Sequence, residues 1–218
     1  MRIWLPDDPG VLGAVAAEIG AVKGNVIGLE VLERCAGVAI DELVVELPDD
    51  PSAIDAVCRG VRTVPGAGVE EVKELLTAAQ DREDTVLSSA AAILQAATPT
   101  AAMNALLGQL DSLFDLSWLA LADLAAARFV EVHGEEVPSV QWIAAFAEGA
   151  RSGADPANDT ISSGVFIEAV PDTALTVCGG RPIAIRRRER HEIGLLVTVA
   201  ARFIDALSGR EQVRLPLG

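Results

Sequence analysis

The sharpest chemical feature of the sequence is Asp7-Asp8-Pro9-Gly10-Val11-Leu12, two carboxylates and a proline–glycine turn set just ahead of an apolar helical pattern. Glycine lets a backbone approach a ligand closely. The helix that follows offers unpaired amides and the positive end of its dipole, which suits a carboxylate. A second segment, Asn25-Val26-Ile27, opens the next extended stretch after Gly24. A bound amino acid would be held by the turn and by the backbone of Asn25 to Ile27, with its ammonium group facing Asp7 or Asp8. A plainer alternative stands beside this one: Asp7 or Asp8 caps the helix and Gly10 only serves the turn.

The other reactive residue types converge less. Arg181, Arg186, Arg187, Arg188 and Arg190 lie within ten positions. Arginine's fork suits phosphate, so they could form an anion site. Equally, they could open a helix whose dipole they oppose, in which case acidic partners are required. His133 and His191 are the only histidines and are far apart in sequence, so surface roles are expected of both. Cys35, Cys58 and Cys178 are odd in number and widely spaced, fitting neither a disulfide framework nor a zinc site. No metal site and no cofactor are expected. Phe114, Trp118, Trp142, Phe146 and Phe166 concentrate aromatics in the second half, where they line a pocket or, more simply, fill a core. The chain carries no nucleophile-elbow, phosphate-loop or dinucleotide-loop string, which argues against an enzyme.

The elements that must position these residues follow from local patterns. Arg2 to Leu5 reads as a strand, and Val11 to Val22 as a helix with Val11, Leu12, Val15, Ile19 and Val22 on one face. Gly24 is its expected C-cap. Asn25–Arg34 and Val38–Leu47 are β-branched strands joined by the three residues Cys35-Ala36-Gly37 as a hairpin. Ser52–Arg62 reads as a helix burying Ile54, Val57, Cys58 and Val61. Gly68–Leu75 closes as a strand with Val69 as its core residue. The order is β-α-β-β-α-β.

Residues 76–84 form a polar seam. The expected organisation is a first domain over 1–76, a linker over 77–84 and a second domain over 85–218. In the second half, helices are expected at Val86–Ala97, Ala101–Leu113, Val140–Arg151 and Arg187–Leu207. Strands are expected at Ser117–Ala126, Arg128–His133, Gly164–Val170 and Ala174–Cys178. Ser152 to Asp159 has loop composition, and Gly179-Gly180-Arg181-Pro182 that of a turn. The last helix shows the stripe Leu196, Val199, Phe203 and Leu207, and Ser208-Gly209 is its expected end.

Composition bounds the partners. Lys+Arg number 17 against Asp+Glu 32, a net charge of −15 over 218 residues. Such a surface repels a phosphate backbone, so general nucleic-acid binding is disfavoured and no nucleic-acid partner is expected. The longest uncharged run, Thr85 to Leu110, is interrupted by Ser, Thr, Gln, Asn and Pro99 and reads as two buried helices, so no membrane segment is expected. The first ten residues lack the apolar core of a signal peptide, so a cytoplasmic location is expected.

With Asp7-Asp8-Pro9-Gly10-Val11-Leu12 after a strand, and Gly24-Asn25-Val26 opening the next, residues 1–75 resemble an ACT domain. That resemblance implies a ferredoxin-like fold and a regulatory module that binds amino acids or serves as a bare dimerisation unit. The second half is similar to a GAF-type sensor domain, on its helix-strand-strand-helix opening. Its end agrees too, with a strand, a Gly-Gly turn, Pro182 and an Arg/Glu-rich start to a long terminal helix. The expectation is therefore an α+β protein of two domains, ferredoxin-like and then GAF-like with a central antiparallel sheet. Its function would be non-enzymatic sensing of a small metabolite, an amino acid above all, by a homodimer or larger assembly. The alternatives are a dimerisation scaffold without a ligand, and an enzyme using a pocket in the second domain.

Overall fold

Alternation of period two in the first half resolves into strands Arg2–Pro6 (β1), Asn25–Cys35 (β2), Val38–Glu46 (β3) and Gly68–Glu71 (β4). Period 3.6 resolves into helices Val11–Ala21 (α1) and Ala53–Thr63 (α2). The computed structural model describes residues 1–74, 82–152 and 164–213. By its internal contacts the chain divides into two units, Met1–Asp81 and Arg82–Gly218. Each contains one antiparallel four-stranded sheet, so the protein is mixed α/β.

In the first unit the strand order is β2-β3-β1-β4. α1 and α2 set Val15, Ile19, Val57 and Val61 against Ile3, Leu5, Ala39 and Leu43. The other face of the sheet carries Trp4, whose ring lies where a Cβ on Gly68 would stand. Val69, expected in the core, is only partly buried against it, while Val64 and Ala67 are buried. Ile54 and Cys58 are likewise half-buried, and Ala53 takes the inward position in their place.

Two turns differ from their expected form. The hairpin has a two-residue connection, Ala36-Gly37, because Cys35 already pairs with Val38. Both turn residues have positive φ, 51° and 77°, the handedness that matches strand twist. The end of α1 is a Schellman closure. The Gly24 N–H donates to Ile19 O at 3.0 Å and the Lys23 N–H donates to Gly20 O at 2.9 Å. The left-handed residue is therefore Lys23, at φ 63°, and not Gly24. Gly24 is needed for space: a Cβ there would meet Ile19 Cγ2 at 2.8 Å and Leu47 Cδ2 at 3.0 Å.

The second unit comprises helices Arg82–Leu94 (α3), Pro99–Phe114 (α4), Val140–Ser152 (α5) and Arg187–Val213 (α6). Its strands are Trp118–Asp123 (β5), Arg128–Gly134 (β6), Val165–Ala169 (β7) and Leu175–Gly180 (β8). The order is β6-β5-β8-β7. α3, α4 and α6 pack together on one face, burying Leu106, Phe114, Leu119, Phe166, Val177 and Ile193. α5 covers the other face through Ile143, against Trp118, Ala120 and Cys178. Thr98 caps α4, its Oγ1 accepting the Ala101 N–H at 3.1 Å ahead of Pro99.

Several boundaries shift. Arg82, Glu83 and Asp84, expected in the linker, are the first turn of α3. Gly179 and Gly180 belong to β8 and not to a turn. The rings of Phe166 and Trp118 occupy the space that a Cβ at each would need. α6 runs through Ser208-Gly209 to Val213, and its buried face is Ile193, Leu196, Val197, Ala200 and Ala201, with Phe203 half-buried. Leu75 and the loop after Ser152 lie outside the described residues. Among the described residues no helix is long and apolar enough to cross a membrane.

Candidate functional site

The β1–α1 turn sits at the end of the sheet where Pro6 pairs with Val38. The Asp7 N–H donates to Gly37 O at 2.9 Å, which ties the turn to the β2–β3 hairpin. Gly10 is the N-cap residue of α1, left-handed at φ 92°, and no side chain caps the helix. The alternative in which Asp7 or Asp8 caps α1 is thus corrected: the N-cap position falls on Gly10, which has no side chain, and no side-chain oxygen accepts from the first-turn amides. Asp7 instead lies 3.6 Å from Arg34 Nε. Asp8, Pro9 and Gly10 are exposed, and Val11 and Leu12 rest half-buried on the core. Beyond its chain neighbours, no atom lies within 4 Å of the point where a Gly10 Cβ would stand, so this exposed turn faces open space.

Asn25, Val26 and Ile27 do not join this turn within one chain. Asn25 pairs with Glu46, at the opposite end of β3 from Val38. Along a strand rising 3.3 Å per residue, the two segments are roughly 26 Å apart. The reason is topological: α1 carries the chain back along the sheet, so β2 starts at the far end. Ile27 is 48% exposed, and with Leu29 and Val31 it forms an apolar margin on β2, an edge strand of the sheet.

The structure adds a residue that the motif does not contain. Asp41 lies on β3 in register with Ile3, between Ala39 and Leu43 on the helix-covered face. It is 3% exposed and its Oδ1 has no hydrogen-bond partner. Burial pushes its carboxyl above the usual range; Arg34 opposes that rise and Asp7 adds to it. The signal was present in sequence as parity: in Val38-Ala-Ile-Asp-Glu-Leu-Val-Val-Glu46, Asp41 falls in phase with Ala39 and Leu43.

Of the five clustered arginines, Arg181 and Arg186 are turned inward, Arg188 and Arg190 are half-buried and Arg187 is exposed. Arg181 donates through Nη2 to Glu189 at 2.7 Å, through Nη1 to Phe114 O at 2.6 Å and through Nε to Ile183 O at 3.2 Å. Glu189 also accepts the Arg186 N–H at 2.8 Å, closing the start of α6. Arg190 donates to Ile185 O and Val165 O, and Arg188 pairs with Glu192. The acidic partners required by the helix dipole are therefore present, and this cluster organises the fold. His133 pairs with Glu131 at 2.9 Å on the surface, and His191 is exposed.

A cleft of about 630 Å³ opens between α5 and the second sheet, lined by Leu124, Ala125, Ala147, Glu148, Ile167 and Thr176 among others. None of Phe114, Trp118, Trp142, Phe146 and Phe166 lines it. Phe114 and Phe166 fill the core, Trp118 lies under α5, and Trp142 stacks on Phe146 at 5.2 Å. Among the described residues no three His, Cys, Asp or Glu are grouped to hold a metal ion. Compared with known proteins, the chain matches no family model, no curated protein and no solved structure.

Proposed function

We propose that this chain is a non-enzymatic regulatory protein that senses an amino acid through an ACT-like, ferredoxin-like first unit. The observation that carries the reading is the β1–α1 turn: a left-handed Gly10 before α1, no side-chain cap on that helix, and open space beside it. The strand order β2-β3-β1-β4 with both helices on one face supports the ferredoxin-like assignment. The second unit would be a GAF-like domain, its sheet sandwiched between α5 and the three-helix layer. The chain's acidity supports a protein that does not bind nucleic acid.

The separation of Asn25–Ile27 from the turn supports a homodimer. β2 is an eleven-residue edge strand, whose unpaired backbone groups offer a template for a second strand. Antiparallel pairing of two copies about Glu30, the middle of β2, sets Asn25 of one copy against Cys35 of the other. That position adjoins the hairpin to which Asp7 is bonded. The dimer would thereby reunite both halves of the site and cover Ile27, Leu29 and Val31.

The test is a thermal-shift screen of the full chain against the amino acids and common nucleotides. A ligand at 100 times its dissociation constant stabilises by about 2.7 kcal/mol. A shift with an amino acid that disappears in Gly10→Asp, still folded by circular dichroism, supports the reading. No shift with any amino acid leaves the first unit as a dimerisation module. The cleft beside α5 favours a second reading, in which the ligand is held by the second unit; a shift that survives Gly10→Asp selects it.

A further inference from the structure

We infer that Asp41, and not Asp7 or Asp8, is the residue that receives the ammonium group of the amino acid, with Arg34 and the first turn of α1 providing the positive side of the site. This deepens the proposed function and rests on it.

A carboxylate on the core face of a sheet is costly unless it is hydrogen-bonded or paired. Asp41 occupies such a place: Ile3, Ala39 and Leu43 around it are all buried, and its Oδ1 has no partner. The side chain is not deep beneath both helices. Its other register neighbour, Val31, lies on the partly exposed margin of β2. Asp41 therefore stands near the margin of the helix layer, two residues along β3 from Ala39, the partner of Arg34, whose Nε lies 3.6 Å from Asp7.

Asp7 is poorly suited to receive the ammonium group, because it already faces Arg34 at 3.6 Å. Asp8 is exposed, where a charge pair is screened and contributes little. A desolvated carboxylate interacts far more strongly with a cation than an exposed one. An ammonium group brings both the charge and the donors that Asp41 Oδ1 lacks, and reaching that oxygen requires the margin of β2 to move aside. The opposite end of a zwitterion would be met by the first-turn amides of α1 and by Arg34, whose exposed guanidinium would turn from Asp7 to the ligand's carboxylate. The resulting ligand class is a free α-amino acid with both termini unblocked.

The experiment compares an amino acid with its 2-hydroxy acid counterpart, which keeps the carboxylate and side chain but has no ammonium group. The amino acid giving the largest thermal shift is the probe, and both compounds are titrated calorimetrically. The unmutated chain should prefer the amino acid by about 10- to 100-fold, the worth of a charged hydrogen bond. Asp41→Asn should bind both compounds within a factor of about three, while Asp7→Asn and Asp8→Asn keep the preference. Asp41→Ser provides a second neutral side chain should the asparagine disturb the sheet. Preference retained in both Asp41 variants overturns the assignment and leaves amino-acid binding intact. Absence of any amino-acid shift in the unmutated chain overturns the assignment together with the function it rests on.

Discussion

Arg82 and Glu192, separated by 110 positions, form a two-pronged ion pair: Nη2 lies 2.7 Å and Nε 2.9 Å from Glu192 Oε2. The side chains are 13% and 8% exposed, so the pair is largely desolvated. It locks the first turn of α3 to α6. Breaking a buried pair by removing one partner costs about 3–5 kcal/mol, because the survivor keeps its desolvation penalty. Glu192 also serves Arg188 at 3.1 Å. Glu192→Ala should therefore destabilise the second unit by about 3 kcal/mol in urea unfolding, with the first unit's transition unmoved.

Lys23 and Gly24 should respond to substitution with opposite signs. Lys23 is exposed and left-handed, a conformation that costs a side-chain-bearing residue roughly 1–2 kcal/mol. Lys23→Gly should raise the stability of the first unit by up to about 1 kcal/mol. Gly24→Ala should lower it, since the new methyl meets Ile19 Cγ2 at 2.8 Å. Equal effects of the two changes in thermal melts would contradict the Schellman closure.

Cys178 should be chemically silent. Burial pushes its thiol up to about 12, and its Sγ sits 3.5 Å from Ala120 O. Cys35 and Cys58 are half-buried. At pH 8 an aromatic disulfide reagent should modify these two in the native protein and reach Cys178 only on unfolding.

Asp41 and Glu168 should make stability fall as pH rises. Burial raises both carboxyls above their ordinary values, so each holds its proton to higher pH when folded than when unfolded. That contribution is complete below the unfolded pKa, about 4, and is lost as pH climbs through the raised native value. Asp41→Asn should thus stabilise the ligand-free protein at pH 7 and match the unmutated chain near pH 3.5. A stability gap between them that is the same at both pH values would show that the Asp41 carboxyl is not shifted.

Leu29→Lys with Val31→Lys should dissolve the proposed dimer. Antiparallel pairing about Glu30 brings the lysines of two copies together, and edge lysines disfavour strand addition. Light scattering should move to the monomer mass of 22.7 kDa, and amino-acid binding should weaken with it. A 22.7 kDa mass for the unmutated chain at micromolar concentration would already exclude the homodimer.

Local chemistry alone determined the order of elements in this chain. Val15 and Ile19 sit one helical turn apart, the β-branched runs flanking Ala36-Gly37 favour a hairpin, and Pro99 separates two helices; each depends on neighbours within a few residues. The candidate turn at Asp7 to Gly10 was legible for the same reason. Only the tertiary structure decided what surrounds it. Asn25 is 15 positions beyond Gly10, yet α1 delivers it to the far end of the sheet, a separation set by strand pairing and invisible to local pattern. Gly179 and Gly180 read as a turn because their strand role depends on rings of Phe166 and Trp118 from neighbouring strands. Lys23 takes the left-handed place that glycine was expected to fill, because Gly24 is held against Ile19 and Leu47. Asp41 gained its chemistry only when Ile3, Ala39 and Leu43 closed around it, since desolvation belongs to the assembled core and not to the residue.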